Sequence, residues 1–474
     1  MASPRFESAA RSIVSPRKLA LRPARAAPAP APEALFEEPH RGDGWDWGIR
    51  VGIVAGVVYL AYASFTSRVI VPLIHAAEHN HWMRVVERPS VLWAAMGTLL
   101  IFFRTALWFR YRSYRPSTMA SAPRLTVIIP AYNEGPMVAK SIDSVASARY
   151  PRDRLEIFVV DDGSRDDTWR HIRRAASRHK GLVTAVRFPV NRGKRAGLEA
   201  GFRQGKGEVF VTIDSDSVID KDTLLSITGP FRDPRIGAVA GRVAVYNKRA
   251  GVIPRMLHVR FTLSFDYLRA VQSTYGTVYC APGALAGYRA GVVRDVLDAW
   301  VSQSFLGAKC TYGEDRAMTN YILDKGLDVV YQRTAVVRTV VPTTYKQMTK
   351  MFLRWDRSYI REEIRFASSV VWKRPLVKRL IALIDVVVMN LRFPIGWLSL
   401  VLIIILAFHD PLTIVRFLSA IGLFSLFNML YYLRAERSTD FVYGVLYSYF
   451  SFAALFWIFP YACLTPRARG WLTR

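Results

Sequence analysis

The sequence predicts an α/β domain, doubly wound around a parallel sheet and inserted between transmembrane α-helices. Three observations carry that prediction. Between residues 124 and about 365, short apolar runs alternate with helical stretches, and each run ends in a polar cluster, the pattern of strands buried on both faces by crossover helices. Long apolar stretches flank that region on both sides, and a bilayer-crossing helix needs about 20 mostly apolar residues. The 474 residues are 51% hydrophobic yet carry a formal charge of +28. That combination suits a membrane protein with basic cytoplasmic faces. A nucleic-acid binder would present a basic domain without long apolar runs, so no nucleic-acid partner is expected.

Residues 1–44 read as a disordered basic tail, because Ala-Pro alternation from Ala26 to Pro32 follows Arg5, Arg11, Arg17, Arg22 and Arg25 and such sequence cannot build a core. Residues 45–115 hold two expected spans. The first runs from Val51 to about Phe65, extended through Val69 to Ile74 and interrupted by Arg68; the second runs from Val91 to Phe109 with Arg104 inside it. Arginine near a span's end can snorkel. The cluster Arg110-Tyr111-Arg112-Ser113-Tyr114-Arg115 then places the next domain in the cytoplasm, with 75–90 as an external loop.

Within residues 116–366, Leu125 to Pro130, Leu155 to Val160, Val183 to Phe188 and Gly207 to Ile213 are expected strands, with helices from Met137 to Ala148, after an Asp166-Asp167-Thr168 cap, and after Lys194. Residues 367–392 mix Lys373, Arg374, Lys378, Arg379 and Asp385 with apolar residues and read as a helix lying in the interface. Residues 393–474 hold three expected spans, from Phe393 to Phe408, Leu412 to Leu433 and Phe441 to Leu464. Two spans before the domain and three after it would put Arg467-Ala468-Arg469-Gly470 outside, against the positive-inside rule. Either 376–391 crosses, or a late segment is re-entrant, or the rule is broken. Cys280, Cys310 and Cys463 are too far apart for a disulfide framework or a metal spacing.

The candidate chemistry centres on Asp214-Ser215-Asp216 at the end of the fourth strand. Two carboxylates at a strand's carboxyl end face the crevice where open α/β sheets bind ligands. A hard cation such as Mg²⁺ or Mn²⁺ takes oxygen ligands and leaves room for phosphate oxygens. An isolated D-x-D is more often a polar loop, so its company decides. Asp162, at the end of the second strand, can bind a base or ribose, or be a plain turn residue. Lys194 can reach a nucleotide, or be a solvated loop lysine. Asp315, after Gly313, can serve as a base, although a helix's first turn tends to lower a carboxyl pKa unless burial opposes it. Arg354 suits a diphosphate through its bidentate fork, and Trp355 offers a flat face to a sugar or an anchor at the bilayer.

These motifs resemble the family 2 glycosyltransferases that polymerise and export polysaccharide, most of all the hyaluronan synthases, with chitin-oligosaccharide and cellulose synthases more distant. The stretches that carry the resemblance are Val127 to Glu134, Val160-Asp161-Asp162-Gly163-Ser164, Asn191-Arg192-Gly193-Lys194-Arg195, Asp214-Ser215-Asp216, Gly313-Glu314-Asp315-Arg316 and Arg354-Trp355. Gln303 to Gly307, Thr319-Asn320-Tyr321, Arg357 to Glu362 and the Gly470 to Arg474 tail are similar to hyaluronan synthases as well. The resemblance implies a GT-A-like nucleotide-sugar-binding fold, an inverting hexosyltransferase activity, a UDP-sugar donor, a growing polysaccharide as acceptor, and a lipid bilayer as surroundings. It implies that Tyr132, Glu134, Asp162 and Lys194 hold the uridine end, and that Asp214 contacts the nucleotide or its metal while Asp216 ligates Mg²⁺ or Mn²⁺. The acceptor-side loop would be Cys280 to Ala284 with Gly283, and Arg316 would also bind substrate. Asp315 would deprotonate the acceptor, Trp355 stack on it, and Arg354 contact the diphosphate. The family's Gln-x-x-Arg-Trp is broken here, with Met351 at the glutamine position, and Gln347 lies one helical turn upstream as a substitute. A non-processive enzyme that adds one sugar to a lipid carrier is the alternative reading.

Overall fold

A computed structural model describes residues 35–37, 42–66 and 81–468. Most of the basic tail, Arg68 with the Val69 to Ile74 extension, part of the 75–90 loop, Arg469 and the Gly470 to Arg474 tail lie outside those residues. The strands are β1 (Leu125–Ala131), β2 (Leu155–Asp161), β3 (Val183–Arg187), β4 (Val209–Ile213), β5 (Ser217–Ile219), β6 (Ile236–Val245), β7 (Leu285–Arg289), β8 (Ser304–Phe305), β9 (Ala308–Lys309) and β10 (Asp328–Thr339). β8 and β9 form a small hairpin, and the other eight make one sheet in the order β3-β2-β1-β4-β7-β6-β10-β5.

The half that includes β3, β2, β1 and β4 is parallel throughout, and every residue of β1 and β4 is buried, as expected for strands covered on both faces. Helices Met137–Ala146, Thr168–Arg178 and Lys194–Gln204 make the crossovers. The second helix is started by Asp166, whose Oδ1 accepts from the Thr168 N–H at 3.0 Å, and not by Asp167, which pairs with Arg170 and His171. The third lies so near β1 that a Cβ on Gly201 would stand 2.5 Å from Ile128 Cγ2. That close packing carries Lys194 to the carboxyl edge of the sheet.

The other half departs from a uniformly parallel sheet. β7 runs antiparallel to both β4 and β6, β10 is parallel to β6, and β5 is antiparallel to β10. Leu285–Arg289, directly after the expected acceptor-side loop Cys280 to Ala284, is a central strand. Apolar pattern marks a strand as buried but leaves its direction to the connections. Here β7 enters after a long helical excursion over 252–274 and returns along β4 the opposite way.

Helices Gly44–Thr66 and His81–Arg110 stand where the first two spans are expected. Among the described residues, two helical stretches are long and apolar enough to cross a bilayer, Leu376–Ile405 and Leu412–Glu436, with mean hydropathy 1.9 and 1.7. Phe441–Leu455 and Ile458–Leu464 meet at 43° and together would make a third, broken or re-entrant. The break expected at 392/393 is absent, because Leu376–His409 is one helix with Pro394 inside it. The charges that suggested an interface-lying segment are paired with other elements. Lys378 Nζ reaches Asp328 at 2.5 Å, and the buried Asp385 accepts from Arg104 Nε at 2.8 Å and from Tyr275 OH at 3.2 Å. Arg104 of the second expected span and Asp385 of the 367–392 segment are therefore partners, while Lys373, Arg374 and Lys378 pair with Asp324 and Asp328 of the domain. On the domain side, Val259 of the Val252–Thr262 helix packs with Met429 and Tyr432.

Removing one member of the Arg104–Asp385 pair leaves the other charge buried and uncompensated, which costs roughly 3–5 kcal/mol. Asp385→Ala is expected to lower the thermal midpoint of detergent-purified protein markedly, and Arg104→Met with Asp385→Leu to recover most of the loss. A single variant as stable as the parent would show that the pair carries no such constraint.

Candidate active site

The site is built at the carboxyl edge of β1, β2 and β4. Ala131 and Asp161 end β1 and β2 in register, and the loops beyond them are stitched together. Asn133 N–H donates to Ser164 Oγ at 3.0 Å, Glu134 N–H to Thr168 Oγ1 at 2.8 Å, and Arg165 N–H to Asn133 Oδ1 at 2.9 Å. Tyr132 and Glu134 thus lie on a loop fixed beside Asp162. Asp162 itself is turned to the backbone. Its two oxygens accept from the Arg192 and Gly193 amides at 2.7 and 2.8 Å, and burial nonetheless pushes its carboxyl up. This clamp shapes the turn at Gly193, where φ is +90°, a conformation glycine adopts without a Cβ penalty. Lys194 follows as the first residue of its helix.

Lys194 is the centre of the cluster. Its Nζ lies 2.5 Å from Asp214 Oδ1 and 3.1 Å from Glu314 Oε1. A Cβ on Gly283 would fall 2.8 Å from the same Nζ and 3.6 Å from Asp214 Oδ1. Gly283 N–H donates to Asp315 Oδ2 at 3.1 Å, and Cys280 Sγ lies 3.6 Å from that oxygen. Asp214, Lys194, Gly283, Glu314 and Asp315 therefore meet, although they come from four segments far apart in sequence. The electrostatics separate the two adjacent acids. Burial raises the Glu314 carboxyl, but the Lys194 ammonium, with Arg354, pulls it down to about 2. Asp315 is raised, first by burial and then by the Glu314 charge beside it, against the pull of Lys194 and the Arg316 and Gly283 amides.

Asp216 Oδ1 accepts from Ser217 and Thr339 hydroxyls at 3.2 and 3.0 Å, which fixes it against β10. Among the described residues no three His, Cys, Asp or Glu side chains gather as a metal site. Asp214 and Asp216 form an all-oxygen pair of the kind that holds Mg²⁺ or Mn²⁺ through one or two carboxylates, with phosphate oxygens completing the shell. The donor set fits an ion that arrives with a diphosphate.

The remaining candidates lie on or beside the Tyr345–Arg365 helix. Arg354 acts on Glu314 electrostatically. Trp355 is half-buried, its ring 6.1 Å from Phe261 and 5.6 Å from Phe352. Next to it, Asp356 is pushed up to about 6 by burial, with Arg260 and Arg316 opposing. Two residues are not brought into the cluster. Arg316 turns away from Asp315 to lie over the Tyr359 ring at 4.5 Å and near Glu363 at 3.8 Å. Gln347 is exposed and spends its groups on the helix start, its N–H donating to Thr344 Oγ1 and its Oε1 accepting from Thr343 N–H. Met351 is buried in the core. The expected glutamine substitute is thus absent from the site. Sequence reasoning quoted Glu314 and gave it no role; its signal was a second acid directly before Asp315.

Residues 126–297 match Glycosyl transferase family 2. The chain is 34% identical over 242 residues to an N-acetylglucosaminyltransferase of Rhizobium meliloti (strain 1021), covering 51% of this chain and 56% of that protein, so the match spans little more than half of that relative. It is 30% identical over 356 residues to a hyaluronan synthase of Streptococcus pyogenes, covering 74% of this chain and 83% of that protein. The solved mannosyltransferase PcManGT from Pyrobaculum calidifontis, in complex with GDP-Man and Mn²⁺, superposes with a TM-score of 0.55 at 20% identity, over 77% of this chain and 99% of that one. That likeness shows the shared GT-A-like fold.

Gly313 sets the approach to Glu314 and Asp315. Its φ is +74°, and a Cβ there would stand 2.4 Å from Ser358 Cβ and 2.8 Å from an Arg361 nitrogen. Gly313→Ala combines a left-handed penalty of about 1–2 kcal/mol with overpacking of about 1–3 kcal/mol. A lowered thermal midpoint is expected, and an unchanged one would show that the two helices can separate freely.

Proposed function

Because this chain belongs to family 2 of the glycosyltransferases and is similar to a hyaluronan synthase over 83% of that protein's length, we propose that it is a processive polysaccharide synthase. It transfers sugars from UDP-sugar donors to a growing glycan and passes the product through its own membrane helices, with the catalytic domain cytoplasmic in a cell membrane. The observation that carries this reading is the convergence of Asp214, Lys194, Glu314 and Asp315 around Gly283.

Each group has a task in an inverting transfer. The acceptor hydroxyl attacks the anomeric carbon as the bond to the diphosphate oxygen breaks, through an oxocarbenium-like state. Asp315 takes the hydroxyl proton, and its raised carboxyl keeps it a stronger base than an ordinary aspartate. Negative charge grows on the leaving diphosphate, where Lys194 and Arg354 supply fixed positive charge. A divalent cation held by Asp214 and Asp216, Mg²⁺ or Mn²⁺, would add further neutralisation there. Glu314 holds Lys194 in place and stays ionised while Asp315 cycles. Tyr132, Glu134 and Asp162 form the nucleotide side, Asp162 by shaping the turn that carries Lys194. Trp355 faces the acceptor side of the reaction, and Gly283 gives the acceptor loop its close approach.

Purified protein incubated with UDP-sugars singly and in pairs, with Mg²⁺ or Mn²⁺, is expected to yield a polymer ladder and to lose nucleotide release on chelation with EDTA. Asp315→Asn is expected to cut transfer by roughly 10²–10⁴-fold in a folded protein. A single-sugar lipid product would support the non-processive alternative. Nucleotide release that needs no divalent ion and survives Asp315→Asn would end the proposal.

The pH dependence has a definite sign. Asp315 must be ionised to accept a proton, so kcat/KM falls as pH drops through its raised pKa. Glu314→Gln removes the neighbouring negative charge that helps raise it. The acid limb of the pH–rate profile is therefore expected to move to lower pH, and a limb that stays or moves upward would contradict the coupling.

A further inference from the structure

Three stretches flagged in the sequence have no part in the mechanism above: Gln303 to Gly307, Thr319-Asn320-Tyr321 and Arg357 to Glu362. In the fold they meet at one buried carboxylate. Glu362 is 1% exposed. Its Oε1 accepts from Gln303 Nε2 at 2.8 Å and from Arg361 Nε at 3.0 Å, and its Oε2 accepts from Asn320 Nδ2 at 3.0 Å. The same Asn320 amide donates to the Glu362 main-chain oxygen at 2.9 Å. Gln303 Oε1 in turn accepts from both terminal nitrogens of Arg195 at 3.2 Å. Arg195 also donates to the Trp300 carbonyl at 2.5 Å, and Arg361 to the Tyr312 carbonyl at 2.7 Å. Arg195, Gln303, Asn320 and Arg361 are all buried as well.

Each arm ends beside a site residue. Arg195 is the neighbour of Lys194, and Asn320 shares the Glu314–Asp324 helix with Asp315. Glu362 lies on the Tyr345–Arg365 helix, two turns past Trp355 and so on the same face. Tyr312 leads into Gly313. On the reading of the chain as a glycosyltransferase, we infer that Glu362 is a positioning residue, the hub that holds the Arg354–Trp355 helix in register with Asp315 and Lys194. A buried ion pair adds little net stability, because desolvation offsets attraction. A network that pairs both oxygens of a buried carboxylate, as here, fixes one arrangement against its alternatives, because a shifted helix would leave those buried groups unpaired. Thr319 extends the same control to the acceptor loop, since its Oγ1 accepts from Ala281 N–H at 3.0 Å.

The test compares the parent with Glu362→Gln and with Gln303→Met, which cuts only the Arg195 arm and keeps the fold available if the first variant does not assemble. The donors are UDP-N-acetylglucosamine alone and with UDP-glucuronate. Transfer is expected to fall roughly 10–100-fold in kcat, as for a small misplacement of reacting groups. Donor KM should stay near the parent's, because Asp162, Lys194 and Asp214 keep their own contacts. Hydrogen exchange should quicken in both 345–365 and 314–324 in the single variants. Folded variants with parental kcat and parental exchange would overturn the inference, as would a rise in donor KM as large as the fall in transfer. If the parent turns over neither donor, the functional reading is what fails, and the exchange measurement still decides the role of Glu362.

Discussion

The proposed active site depends on a single ammonium group held between two carboxylates that the chain delivers from different directions. Asp214 arrives at the end of β4 and Glu314 at the start of a helix on the far side of β7, and Lys194 touches both. Neither acid could sit half-buried next to the other without that charge between them. The arrangement also divides labour between Glu314 and Asp315. The first is spent on the lysine and held ionised, while the second is left to feel burial and its neighbour's charge. Even Asp162, which the family resemblance assigns to the uridine end, serves this centre, because its carboxylate holds the turn from which Lys194 projects.

Much of this was readable before any coordinates. Continuous apolar runs located β1, β2 and β4, because strands buried on both faces leave no other pattern, whereas β3 lies at the sheet's edge with no buried residue. The polar clusters at their ends located Asp162, Lys194 and Asp214, because open sheets put their ligands there. Gly313 announced the left-handed turn before the helix that carries Asp315. What the sequence left hidden is of two kinds. Strand direction in the second half of the sheet depends on long connections, and β7 is not among the expected strands. Side-chain partners distant in the sequence leave no local trace, so the bond from Glu314 to Lys194 and the packing of Arg316 on Tyr359 could not be read. Gln347 shows the complementary error. Helical spacing placed it near Arg354's face, but residues at a helix start are claimed by the unpaired amides there.

The charges in the apolar segments illustrate the same limit with a different result. Arg104 and Asp385 each weakened the reading of its own segment as a span. A charge in hydrocarbon is costly only while it is unpaired. Once the two segments pack together, the arginine and the aspartate satisfy each other, with Tyr275 on the second carboxylate oxygen. Hydropathy summed along one helix cannot register that exchange, because the compensating group lies 281 positions away.

The Tyr345–Arg365 helix shows why the catalytic and membrane parts act as one body. On one side, Ser358 crowds Gly313 and Glu362 holds Asn320. On the other, Tyr345 OH donates to the Ala454 carbonyl, Tyr359 OH to Asn390 Oδ1, and Arg357 to Thr465 Oγ1. Arg354 and Trp355 lie between those two sets of contacts. A shift of the membrane helices against the domain would have to bend this helix, break buried hydrogen bonds on one side, or move Arg354 and Trp355 relative to Asp315. In a synthase that passes its product into the membrane, that is a useful constraint. On the proposed reading, Arg354 and Trp355 are then placed by the same helix that meets the apolar carboxyl-terminal helices, so a movement of one part is felt by the other.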